Sequence, residues 1–240
     1  MSDFHPFEDT RRESPGRWAG SLVVRAAAMS VELDDCHRTD GVMVSAHRFA
    51  VADGVDHVAG SGSRALEAVV RLLEFRQPAG SLHRALRSSN WDLWYRMGAP
   101  VSPSGLATIT VALWSGYRFV IGHVGDSRAY LVRDGLALQV TDDHRTTAQG
   151  GLSDEAVARL GQRPADWSAD VIRLIPEPGD RLLLCTDGLW RCVTDAVIAE
   201  AVSGQLPAMA CATLETCATF QATESASAVV VSVDLPGQGD

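Results

Sequence analysis

The sequence predicts an α+β fold built on antiparallel sheets. Three observations carry that expectation. Most β-rich stretches follow one another through short turns, with no helix between them. The helical stretches are bunched in two pairs, one before the main run of strands and one near the C-terminus. Asp134-Gly135 stands between two β-rich stretches, and an Asp-Gly pair is a strong hairpin signal because both turn residues take positive φ. A βαβ nucleotide-binding fold would alternate strands with helices, and this chain does not.

In chain order, 21–27 begins like a strand and 34–40 is a polar loop. Residues 41–45 and 47–52 then read as two strands joined by a short turn. A helix follows. Ser63 is placed to cap it, and Leu66, Val69, Val70 and Leu73 fall at i, i+3, i+4 and i+7, one apolar stripe. Pro78 and Gly80 end it, a second amphipathic helix covers 81–95, and 100–105 is a loop. Strands are expected at 107–114, 117–124, 128–132 and 136–140. The polar connection 142–169 should hold one short helix, capped at Ser153 with Asp154 and Glu155 in its first turn. Strands at 171–174 and 181–186 are split by Pro176 to Asp180. Thr194 caps a further helix, Pro207 opens another running to about Phe220, and 228–233 is the last strand.

Length and composition narrow the function classes. The 240 residues fit one large domain or two small ones, and 46% are hydrophobic, enough for a packed core. The formal charge of −9 gives no basic field for nucleic acid or anionic lipid, so neither is expected as a partner. The five cysteines form no CxxC pair and no zinc spacing. Reduced thiols in a cytoplasmic protein are the simpler reading. No apolar run is long enough for a signal peptide or membrane helix near the N-terminus. The expected layout is a polar tail over 1–17, one domain over 18–236 and a short tail at 237–240.

Three apolar strands end alike. Phe49 to Ala52 runs into Asp53-Gly54, Phe119 to Val124 into Gly125-Asp126, and Leu182 to Thr186 into Asp187-Gly188. A carboxylate at the tip of a buried strand is held in fixed geometry, and the adjoining glycine lets the backbone turn or expose a carbonyl. If the three tips converge they form an all-oxygen cluster suited to a hard divalent cation. Each pair taken alone is also an ordinary turn.

Val51-Ala52-Asp53-Gly54, the stretch from Val124 to Tyr130 and the stretch from Gly179 to Trp190 resemble, in order, three signature segments of the metal-dependent (type 2C, PPM) protein phosphatases. Arg133-Asp134-Gly135, Thr141 to His144, and Ser227 to Val231 match the linking text, so the likeness spans about 20–234. It implies a four-layer α-β-β-α sandwich, two central antiparallel sheets flanked by helix pairs. It implies two ions, Mn²⁺ or Mg²⁺, and a metal-activated water that attacks phosphoserine or phosphothreonine in line. On the matching positions, Asp53 bridges the ions, Gly54 lends its carbonyl, Asp187 holds the other ion and Asp126 serves a third, weaker one. Arg128 and Tyr130 lock the strand turn. The partner implied is a phosphorylated protein, with a bacterial Ser/Thr kinase or its targets in the same pathway.

The chain departs from the family pattern at four places. Thr39 stands where a glutamate is usual, although Asp40 matches the acid beside it. The stretch 30–35 lacks the arginine that grips the substrate phosphate, which leaves Arg38 as a substitute. The turn after Gly54 is shorter, with His57 as the candidate general acid. Glu224-Ser225 replaces an Asp-Asn pair, so the last anionic ligand sits on a longer arm. Two main readings remain: an active metal-dependent phosphatase with a reduced ligand set, and a phosphatase-like module that binds a phosphoprotein or partner with little or no turnover. A third reading takes the acids as turn residues with no ion.

Overall fold

The computed structural model describes residues 22–32, 40–54, 60–74, 82–96, 107–148, 151–156, 159–162 and 168–237. Two five-stranded antiparallel sheets form its centre. The first has the order β1 (Val23–Val31), β12 (Ala226–Asp234), β11 (Arg181–Cys185), β6 (Arg128–Arg133), β7 (Leu136–Gln139). The second has the order β10 (Asp170–Leu174), β5 (Phe119–Val124), β4 (Ile109–Trp114), β3 (Arg48–Ala52), β2 (Gly41–Val44).

Side-chain alternation explains the layering. Successive residues of a strand point to opposite faces, and here both faces are apolar. Phe49, Val51, Phe119 and Ile121 meet Leu182, Leu184, Val229 and Val231 between the sheets. Ala50, Ala52, Ile109 and Val111 turn the other way, onto α1 (Ser61–Glu74) and α2 (Leu82–Arg96). Leu183, Cys185, Ala228 and Val230 face α4 (Asp195–Val202) and α5 (Pro207–Gln221). The result is the expected sandwich of helix pair, sheet, sheet and helix pair. Burial of Cys185 pushes its thiol pKa up, so this cysteine is an inert core residue.

The hairpin forms as expected: Asp134 has φ 52° and Gly135 φ 76°, and β6 pairs with β7. Thr194 accepts a hydrogen bond from Val197 N and caps α4, and Pro207 opens α5. Three details differ from expectation. The first helix starts three residues early, at Ser61, because Gly60 (φ 69°) makes the turn and its carbonyl accepts from Arg64 N; Ser63 is already helical. No helix forms at Ser153. The segment Gly151–Ala156 (β9) pairs instead with Arg145–Ala148 (β8) as a separate two-stranded ribbon. The β-branched Thr146-Thr147 and the Gly150-Gly151 pair favour a hairpin here. Finally, the strand ending at Cys185 leads into a short helix, α3 (Asp187–Trp190), at a place where the sequence predicts a strand tip and no helix.

The chain changes sheets between β5 and β6, and that crossing is the Gly125-Asp126-Ser127 turn. Asp53 hangs from the second sheet and Asp187 stands two residues past the end of a strand in the first. All three strand tips therefore lie at one end of the sandwich.

Candidate metal centre

Asp53, Asp126 and Asp187 each bring one carboxylate oxygen within 4.8 Å of the other two. The sequence expectation that the three tips converge is met in space. Each is held by its backbone. Thr108 N donates to Asp53 O at 2.8 Å, and Gly54 continues the pairing in a bridge to Ala107. The indole Nε1 of Trp190 donates to Asp126 O at 2.9 Å. Asp187 opens α3, where Gly188 lies against the main chain of Ser225 so closely that no Cβ fits.

Asp40 joins from the start of β2. Its Oδ2 accepts from the Thr186 hydroxyl at 3.0 Å, and Thr186 in turn accepts from Ser227 N at 2.9 Å. Its Oδ1 is buried with no hydrogen-bond partner among the described residues. Burial, aided by the Asp187 charge and opposed by the Thr186 hydrogen bond, pushes the Asp40 pKa up to about 6. Asp53 is held well above the usual carboxylate range, first by burial and then by the negative charges of Asp40, Asp187 and Asp126. Two carboxylates at this spacing repel by roughly 3 kcal/mol at an effective dielectric of 20. Oxygen-only donors, mutual repulsion and an orphaned buried carboxylate oxygen together fit a hard divalent cation.

The loop carrying Asp126 is braced on both sides. Arg128 donates twice to Asp143, at 2.9 and 2.8 Å, and once to the Tyr130 hydroxyl at 3.0 Å. Its guanidinium lies 3.4 Å from the centroid of the Trp190 ring. Burial works against that charge, but the Asp143 hydrogen bonds hold the Arg128 pKa above its usual value. These contacts give Arg128 and Tyr130 the bracing role expected of them. His144 Nδ1 accepts from Gly125 N at 3.2 Å, His144 N donates to Gly125 O at 2.7 Å, and Nε2 donates to Asp170 Oδ2 at 3.0 Å. Beside it, His123 is buried between Thr110 Oγ1 and Asp142 O, each at 3.0 Å, and burial pulls its pKa down to about 4.

Of the remaining sequence candidates, Glu224 is brought to the edge of the cluster, where Oε1 lies 3.7 Å from Arg191 Nε. Arg38, Thr39 and His57 lie outside the described residues. Sequence reasoning missed Thr186, Trp190 and Arg191. The i,i+4 spacing of Asp187 and Arg191 was a usable signal, but only for a reader who saw a helix there.

The protein phosphatase 2C family model matches residues 84–150. The serine/threonine protein phosphatase PstP of Mycobacterium tuberculosis is 33% identical over 211 residues, covering 79% of this chain and 40% of that protein. The crystal structure of the PstP catalytic domain in complex with two manganese ions superposes with a TM-score of 0.75 at 26% identity, covering 89% of this chain and all of that one. The chain belongs to the type 2C (PPM) protein phosphatase family. A second PPM Ser-Thr phosphatase structure, MsPP of Mycobacterium smegmatis with cacodylate, gives a TM-score of 0.70 at 25% identity, covering 90% of this chain and all of that one. This type 2C chain spans about two fifths of the length of the curated mycobacterial relative. Among its described residues no helix is long and apolar enough to cross a membrane.

Proposed function

We propose that this type 2C chain is a metal-dependent protein serine/threonine phosphatase domain, formed as one unit over 18–236. The observation that carries the reading is the convergence of Asp53, Asp126 and Asp187, delivered by both sheets and the crossing between them, within 4.8 Å. Asp53 and Asp187 would be the principal ligands of a Mn²⁺ or Mg²⁺ pair, with the Gly54 carbonyl and Asp40 completing the set and Asp126 and Glu224 bordering it. Such ions supply a water of lowered pKa and positive charge for the phosphoryl oxygens. The PstP domain structure, which holds two manganese ions, supports that count.

The chain's own residues then have separable tasks. Thr186 fixes one Asp40 oxygen and leaves the other free to accept. Arg128, Tyr130 and Trp190 hold the Asp126 turn still. We assign His57 as the proton donor to the leaving serine or threonine oxygen, and Arg38 as a phosphate contact. The substrate class is a phosphorylated protein, such as a Ser/Thr kinase or its targets. Cys185, Cys192, Cys211 and Cys217 are free thiols, which suits a cytoplasmic setting.

A phosphothreonine peptide assay with Mn²⁺ tests the reading. Turnover should require the metal, stop with chelator, and fall at least a hundredfold in Asp53→Asn and in Asp187→Asn. Turnover unchanged in either variant, or insensitive to chelator, overturns it.

A further inference from the structure

Among the described residues, Arg191 is a feature of the centre that a simple acidic metal site does not call for. It caps the C-terminal end of α3, one turn beyond Asp187. Its Nε lies 3.1 Å from Asp187 Oδ2 and 3.7 Å from Glu224 Oε1, and its Nη2 lies 3.8 Å from Asp126 Oδ2. A surface i,i+4 pair would explain the first contact alone. Here three acids from three separate parts of the chain meet one guanidinium, and the Asp126 side chain is only 4% exposed. The adjacent Trp190 ties the same helix to the same loop through its bond to Asp126 O. The guanidinium is thus carried to Asp126 by a fixed backbone.

We propose that Arg191 is a tethered cation on the Asp126–Asp187–Glu224 edge, closing that edge to a divalent ion and confining metal to the side formed by Asp53 and Asp40. An arginine is charged at every working pH, and its positive charge is held at the cluster by its own chain. A divalent ion arriving at that edge must first displace it, at the cost of moving the guanidinium off two nearly buried carboxylates. Asp126 becomes a partner of Arg191 and no longer a ligand, while Asp187 keeps one oxygen for the Asp53 side. This assignment rests on the metal-centre reading above, but its test separates the two.

The test counts Mn²⁺ per chain by titration calorimetry and by the EPR signal of free ion, in the unaltered protein, Arg191→Gln, Arg191→Lys, Asp126→Asn and the Arg191→Gln/Asp126→Asn double variant. Circular dichroism checks that each is folded. Arg191→Gln should take up one ion more than the unaltered protein, more weakly than the others, and the double variant should lose it. Arg191→Lys, which keeps a charge on a flexible arm, should match the unaltered count, and so should Asp126→Asn. Equal counts in the unaltered protein and Arg191→Gln overturn the proposal, as does loss of an ion in Asp126→Asn alone. If the unaltered protein binds no Mn²⁺ while Arg191→Gln gains an ion that depends on Asp126, the tethered-cation assignment stands and the phosphatase reading falls. If no variant binds Mn²⁺, both fall.

Discussion

Replacing Gly188 by alanine sets two effects of opposite sign against each other. Gly188 lies in α3, and alanine is the better helix former by about 1 kcal/mol. Propensity alone therefore forecasts a more stable protein. The packing forecasts the reverse. A Cβ at Gly188 would overlap the carbonyl oxygen of Ser225, with the Ser225 carbonyl carbon at 2.8 Å and Ala226 Cα at 3.2 Å. All three are main-chain atoms at the entry to β12, the strand paired to both β1 and β11. No side-chain rotamer can relieve the overlap, so either α3 or the start of β12 must move. Overpacking of this kind costs about 3 kcal/mol at the upper end of its usual range. The net expectation is a loss of about 2 kcal/mol, or a fall in Tm of about 6 °C for a domain of this size. Differential scanning calorimetry in chelator reads the stability, and Mn²⁺ titration reads the site, because Asp187 is the neighbouring residue. Affinity should drop along with Tm. A Tm equal to or above that of the unaltered protein would show that the α3–β12 approach is loose, and the argument from close approach would fail.

Other outcomes follow from the same geometry. His123 is held neutral, with a pKa of about 4 against 6.5 unfolded, so the unfolded state binds the proton first as pH falls. Its contribution is complete above pH 6.5 and is lost between 6.5 and 4, about 3 kcal/mol in all; urea titrations of His123→Gln should show a flatter pH dependence over that window, and an identical slope refutes the assignment. Asp53 retains its proton to a higher pH in the folded chain than in the unfolded one, so in chelator it lowers stability progressively above the ordinary carboxylate pKa. Asp53→Asn should therefore melt higher than the unaltered protein at pH 7 without metal, yet gain nothing from Mn²⁺; a lower melting point without metal contradicts the repulsive cluster. Arg128→Lys loses the paired bonds to Asp143 and the stacking on Trp190, and should cost about 1–3 kcal/mol in urea denaturation. A loss within error would mean that the bracing is redundant.

The sheets were legible because their patterning is strong. Near-continuous apolar runs along 48–52, 119–124 and 228–233 mark strands buried on both faces, and Asp134-Gly135 names its own turn. The three strand-tip aspartates were legible for the same reason, since a strand end is where a rigid arm stops. The misses have local causes. Ser153 with two following acids is a sound helix start, but the β-branched Thr146-Thr147 and the Gly150-Gly151 pair favour a hairpin, and strand pairing won. Ser63 lost the cap to Gly60, whose positive φ makes the turn sooner. Trp190 and Arg191 stayed hidden because α3 is only four residues long, too short for periodicity to show. Asp40 was placed by resemblance, yet its orphaned oxygen and its partner Thr186 depend on contacts 146 residues apart, which no local pattern encodes.

The carboxylates belong to different slabs of the sandwich. Asp53 and Asp40 hang from one sheet, and Asp187 stands two residues past the end of a strand in the other. The gap between them is therefore set by the side chains that prop the sheets apart, such as Phe49 and Phe119 facing Leu184 and Val231. Those greasy residues act as a calliper for an ion they never touch. Mg²⁺ and Ca²⁺ differ by only a few tenths of an ångström in preferred oxygen distance, which is comparable with the settling expected when one methylene is trimmed from a tight core. Ion choice in this protein is thus written partly in hydrocarbon, so a hydrophobic substitution at the sandwich midline can retune the metal preference while every ligand stays in place.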